Sequence, residues 1–248
     1  LSALRDTNPM ADGGETIQVL IELGATRRAE QLLNVSTQLA LRASDKRAIL
    51  TCQFLKALQK VMVGDRDGSR SHLERALKVA QQTDLPLKLQ LLRGYVGVEV
   101  SLLWNDAADV HAFLSRILEM PGARSEGLLQ LNMHLWMAQW ALQARNISHS
   151  EQLLHATGIT DQAQGSREST WKALRLYAEI ALARGQQSEA RVILQRSMQV
   201  VHMIAQALPV PLRPGYLGCQ PRQLLLDRLD RVAEGSVSVP GSGVPLPH

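Results

Sequence analysis

One ten-residue phrase returns five times along the chain: GATRRAEQLL from residue 24, GDRDGSRSHL from 64, WNDAADVHAF from 104, RNISHSEQLL from 145 and GQQSEARVIL from 185. The starts lie 40, 40, 41 and 40 residues apart. Self-similarity at a fixed period of this size marks an array built from one repeated supersecondary unit. The sixth place holds Ala29, Ser69, Asp109, Ser150 and Ala190, and the tenth holds Leu33, Leu73, Phe113, Leu154 and Leu194. A small residue followed four places on by a large apolar one describes one face of a helix. In the third copy a slide of one residue puts Ala108 in the small place, so the register there is open by one.

Seven residues before each of the last four phrases stands another small residue: Ala57, Gly97, Ala138 and Ala178. Each lies in an apolar stretch of helical period, such as FLKALQKVMV or LWMAQWALQA, and marks a spot where a neighbouring helix comes close. Every repeat therefore reads as helix, tight turn, helix, with Gly24, Gly64 and Gly185 suited to a turn that needs positive φ. The connectors RASDKR, QTDLPL, MPGARSEG and TDQAQGSREST are polar or carry Pro and Gly, and they supply Asp and Ser as helix N-caps. No stretch alternates apolar and polar residues over strand length with β-branched enrichment, so the fold class is all-α. One hairpin cannot cover its own apolar stripe, and consecutive hairpins are expected to stack as a curved α-solenoid.

The phrase, with its small residue seven places earlier, resembles the tetratricopeptide (TPR) repeat, although the period of about 40 is longer than the 34 residues of the standard motif. Longer helices of this kind resemble the TPR-like regions of large bacterial signal-transduction ATPases and transcriptional activators. The resemblance covers residues 15–206 and implies a right-handed α-solenoid of about five antiparallel helix hairpins. Residues 1–14, with NPMADGG, read as an irregular lead-in. Residues 207–234 hold the proline-bearing ALPVPLRPGYLGCQPRQLLLDRLDRV, which is similar to the ending that closes such arrays; they read as a cap over the last hairpin, with a final amphipathic run from Gln223 to Val232. Residues 235–248 are rich in Gly, Ser and Pro with nothing to bury, and read as a disordered tail or linker.

Composition narrows the function classes. With 45% apolar residues among 248, the chain has ample material for a core. No run approaches the roughly 18 consecutive apolar residues of a membrane helix, and no signal-peptide pattern opens the chain, so a cytoplasmic setting is expected. Beginning at Leu1 rather than Met, it reads as part of a longer polypeptide. The net charge of +4 comes from scattered side chains, whereas nucleic-acid binders mass theirs on one face.

Motifs for chemistry fail one after another. No G-x-S-x-G, no cysteine signature and no phosphate-cradling glycine loop is present. GDRDGSR begins like a calcium loop, but Gly68 comes too early and Ala76 stands where the bidentate Glu belongs. His149 and His155 are six apart, off one helical face. His134, Trp136 and Trp140 sit on a strongly apolar helix and read as core, and Cys52 and Cys219 read as buried small residues. The expectation is no enzyme activity, no cofactor and no metal within this segment.

A solenoid works through its surface. In TPR-like arrays the first helices line the concave groove, and the resemblance places its lining about 13, 10 and 6 residues before each phrase: Thr51, Phe54 and Leu58; Leu91, Gly94 and Val98; Asn132, Leu135 and Gln139; Lys172, Arg175 and Glu179. An apolar stretch followed by a charged one suits an amphipathic helix or an extended peptide. The family's carboxylate clamp would have only Asn132, Lys172 and Arg175, which disfavours a chaperone-tail receptor. The other reading is that longer helices tilt these side chains into the core between hairpins, leaving Lys172, Arg175 and Glu179 solvated. The leading function is a protein-interaction or sensory scaffold of a larger cytoplasmic regulator, binding a protein segment, a small effector or another domain of the same polypeptide. The alternatives are a helical-repeat binder of single-stranded nucleic acid, disfavoured by only nine aromatic residues (Trp 4, Tyr 3, Phe 2), and an accessory domain of an enzyme whose site lies elsewhere.

Overall fold

The structure is a computed structural model and describes residues 9–120, 127–160 and 167–234. Among these residues every regular element is helical and no strand occurs. The elements are α1 (Pro9–Glu22), α2 (Thr26–Arg42), α3 (Lys46–Met62), α4 (Arg66–Ala80), α5 (Leu87–Trp104), α6 (Ala107–Glu119), α7 (Gly127–Gln143), α8 (Ile147–Ala156), α9 (Glu168–Ala183), α10 (Gln187–Ala207), α11 (Arg213–Gly218) and α12 (Gln220–Ala233), with a 3-10 turn at Val210–Leu212 before α11. The tail at 235–248, residues 1–8, and most of the MPGARSEG and TDQAQGSREST connectors lie outside the described residues.

The first ten helices pair as five hairpins, α1 with α2 through α9 with α10. Each turn passes through one residue of positive φ: Gly24 (70°), Gly64 (75°), Asn105 (60°), Arg145 (59°) and Gly185 (78°). These turns fix the register of the repeat, with intervals of 40, 41, 40 and 40 residues. The third phrase therefore starts at Asn105, not at Trp104, and neither Asp109 nor Ala108 fills its small place. Val110 does, fully buried, and Leu114 takes the tenth place.

In this register the pattern is uniform. Ala29, Ser69, Val110, Ser150 and Ala190 are each completely buried, and so are Ala57, Val98, Ala138 and Ala178 seven places before the turn. In the fourth hairpin the two helices touch at these places, where the Ser150 hydroxyl donates to the Ala138 carbonyl at 2.9 Å. Leu33, Leu73, Leu114, Leu154 and Leu194 fill the next turn of each second helix, and a leucine buried in this way contributes about 1.5–3 kcal/mol. The third hairpin has valine in both small places and gains room differently, since a Cβ on Gly97 of α5 would come within 2.4 Å of the Phe113 ring on α6.

Short polar side chains cap the starts of α3, α4, α6 and α8. The Asp45 carboxylate accepts from Arg47 N at 3.0 Å and Ala48 N at 3.1 Å, Asp65 accepts from Gly68 N at 2.9 Å, Asp106 from Asp109 N at 3.2 Å, and the Asn146 side chain from His149 N at 3.2 Å. Each satisfies donors that have no partner inside the helix. Asp65 also pairs with Lys60 at 2.9 Å, so the segment that begins like a calcium loop is a helix cap.

The lead-in expected at 1–14 is not irregular throughout, because α1 begins at Pro9. Proline is at home in a first helical turn, where its missing N–H costs nothing.

The chain forms two compact units. One contains α1 to α6 together with residues 208–220, and the other contains α7 to α10 together with the chain from Pro221. In the first unit α3 packs on α1 and α5, α2 packs on α3, and α4 packs on α5. The stretch read as a cap over the last hairpin divides between the units. Its α11 lies at the α1–α2 turn, where the backbones of Gly24 and Gly215 meet so closely that a Cβ on either would overlap the other's carbonyl. Its α12 belongs to the second unit, beside α9.

Candidate functional site

Five of the residues assigned to the groove are buried, Gly94 and Leu135 among them. Phe54, Leu58 and Val98 have no solvent exposure, so they line no open surface. The reason lies in the first unit's inner edge. Lys88 of α5 pairs with Glu15 of α1 at 2.5 Å, and the Tyr95 hydroxyl of α5 donates to Glu22 of α1 at 3.2 Å. Helices α1 and α5 thus touch each other while both pack on α3, and α3 is buried on most of its circumference. Of the remaining groove positions in this unit, Thr51 and Leu91 are half-buried, and the Thr51 hydroxyl is committed to the Arg47 carbonyl at 3.0 Å.

In the second unit Asn132 and Gln139 of α7, and Lys172, Arg175 and Glu179 of α9, are all half-buried. They are not simply solvated. Arg175 donates from Nη2 to Gln139 Oε1 at 2.9 Å, joining the two first helices. Glu179 accepts a bidentate pair from α12, Arg228 Nε at 3.0 Å and Nη2 at 2.7 Å. Three turns earlier on α9, Glu168 Oε1 accepts from Arg222 Nη2 at 2.9 Å, and the Arg222 guanidinium stands 5.8 Å from the Trp171 ring. The Trp171 indole N–H donates to the second Glu168 oxygen at 2.6 Å, and Lys172 Nζ lies 6.0 Å from the same ring. Arg222 is itself buried, and Leu225 beside it is fully so. Of the α9 side chains assigned to a partner, Glu179 therefore holds a helix of the same chain, while Arg175 ties α9 to α7. Arg222 and Arg228 were missed in the sequence because only their place within an amphipathic run, not their counterions far upstream, is visible there.

A second feature of the first unit is a cavity of about 380 Å³ where the end of α4, the following loop, α5 and α6 meet. Leu85 and Phe113 give it apolar walls, Arg93 and Arg116 line it with guanidiniums, and Asp84 and Glu119 contribute carboxylates. Arg93 is half-buried and its Nε has no hydrogen-bond partner. Burial first, and then the Arg116 charge, work against its positive form. Of the residues lining this cavity only Gly94 belonged to the groove set, because the others do not stand at a groove spacing.

Cys52 and Cys219 are buried and stand outside any disulfide, and burial pushes the Cys52 thiol up, away from the thiolate that a nucleophile needs. Among the described residues no three His, Cys, Asp or Glu side chains come together as a metal cluster would require. His134 stays half-buried on α7 while Trp136 is core.

His72 of α4 is held by Gln53 at 2.9 Å, and burial, followed by the charges of Lys56, Arg75 and Lys60, lowers its pKa. A histidine depressed in the folded state is protonated more readily when unfolded, so stability falls as pH drops through the ordinary imidazole range. Denaturant titrations between about pH 7.5 and 5.5 should show this loss, and His72→Gln should reduce the slope. An imidazole NMR titration with its midpoint at or above the ordinary value would contradict it.

Comparison of the chain with protein-family models, with curated proteins and with solved structures finds no match. No helix among the described residues is long and apolar enough to cross a membrane.

Proposed function

We propose that this chain is a helical-repeat interaction module, a right-handed α-solenoid of TPR-like hairpins serving as a protein-binding or sensory scaffold within a larger cytoplasmic regulator rather than as an enzyme. The observation that carries this reading is the α9 face with its occupant. Glu168 and Glu179 hold α12 through charge-assisted hydrogen bonds to Arg222 and Arg228, which is how a helix-in-groove receptor grips an arginine-bearing amphipathic helix. Of the two occupants the sequence suggested, an amphipathic helix and an extended peptide, the preferred partner is then an arginine-bearing amphipathic helix. A tethered helix competes at an effective concentration on the order of millimolar, so an external partner gains entry when α12 is loosened.

The test uses the full chain and a labelled peptide with the α12 sequence, residues 220–233. The double variant R222A/R228A should bind this peptide at least about tenfold more tightly than the wild type by fluorescence anisotropy, because its own helix no longer fills the face. Adding E168Q and E179Q should abolish the gain. Absence of saturable binding by any of these proteins would sink the proposal.

A further inference from the structure

The cavity beside α5 contains donors in two different conditions. The Thr83 hydroxyl donates to the Val79 carbonyl at 3.0 Å and Gln90 Nε2 to the Leu85 carbonyl at 2.6 Å, so both are committed to backbone nearby. The guanidiniums are not. Neither Arg93 nor Arg116 takes part in an ion pair of the described residues, although Asp84 and Glu119 line the same space. The buried Arg93 Nε has no acceptor, and leaving a buried donor unmatched is unfavourable. Two like charges at one cavity add repulsion to that cost. An oxyanion between them would supply the missing acceptor and remove the repulsion, in a volume within the range of small-ligand sites.

The chemistry of the walls narrows the anion. Leu85 and Phe113 are buried apolar surfaces that suit a hydrocarbon body, and the Asp84 and Glu119 carboxylates penalise a second negative charge. We infer that this cavity binds a small organic monocarboxylate, its carboxylate between the guanidiniums of Arg93 and Arg116 and its apolar remainder against Leu85 and Phe113. The site is separate from the α9 face and goes beyond the interaction-module reading.

The experiment titrates the full-length chain with benzoate, with the uncharged benzamide and with inorganic phosphate, using calorimetry and the arginine Nε–H resonances in 15N-correlated NMR spectra. Benzoate should bind one saturable site and shift the Arg93 Nε–H signal, benzamide should not bind measurably, and phosphate should bind more weakly than benzoate. Arg93→Gln and Arg116→Gln should each weaken benzoate roughly tenfold or more. Arg116 is exposed, so its variant keeps the fold and decides the matter even if Arg93→Gln does not fold. No saturable benzoate binding, equal binding of benzamide, tighter binding of phosphate, or an unchanged affinity in Arg116→Gln would each overturn the inference.

Discussion

Gly24→Ala should destabilise the chain by about 3 kcal/mol or more, making it one of the most damaging single substitutions available. Two costs combine. The residue has φ of 70°, where a side chain is strained by roughly 1–2 kcal/mol. A Cβ there would also overlap the backbone carbonyl of Gly215 and approach the Cys219 sulfur at 2.8 Å, and a backbone obstacle cannot turn aside as a rotamer can. Gly185→Ala separates the two costs. It has φ of 78° with open space around the missing Cβ, so it should lose only the backbone part, about 1–2 kcal/mol. Urea denaturation of both variants measures the difference, and equal losses would mean that Gly24 and Gly215 do not meet in solution.

Phe54→Ala comes second, with an expected loss of about 3–5 kcal/mol from the transfer of the ring and the cavity left behind. The ring has no exposure at all, and α3 around it is enclosed by α1 and α5. The denaturation midpoint should fall with little change in slope. A loss under about 1 kcal/mol would return Phe54 to the surface that groove spacing suggested.

The repeat was readable because close approach of two helices imposes a local demand, a small side chain at a fixed distance from a turn, and that demand is written residue by residue. It failed at the third copy for an equally local reason. Asn105 takes the positive-φ turn that Gly takes in the first, second and fifth hairpins, and asparagine is the next most permissive residue there. Once Asn105 is counted as the turn residue, the phrase moves on by one and Val110 falls into the small place. The glycines of α1 misled in the other direction. A Cβ on Gly14 would come within 3.2 Å of the Thr51 methyl, so a residue that reads as a helix breaker serves a close contact with α3.

The site was much less readable. Whether Phe54 and Leu58 face a groove depends on whether Tyr95 and Glu22, far apart in sequence, reach each other across a third helix. The engagement of Glu179 depends likewise on Arg228. Such pairings leave no periodic trace. The guanidiniums of Arg93 and Arg116 are visible in the sequence as two scattered cations, and only the packing of α5 against α6 brings them to one cavity.

The meeting of Gly24 with Gly215 bears on how the protein is made. Repeat arrays ordinarily acquire structure neighbour by neighbour as the polypeptide leaves the ribosome. Here the opening hairpin gains this contact only once the chain as far as Gly215 has been synthesised, and closing so long a loop slows the step. During translation the Gly24 turn therefore waits uncovered, and a nascent chain stalled before Pro209 should be open to proteases at that turn, whereas the finished protein should resist them.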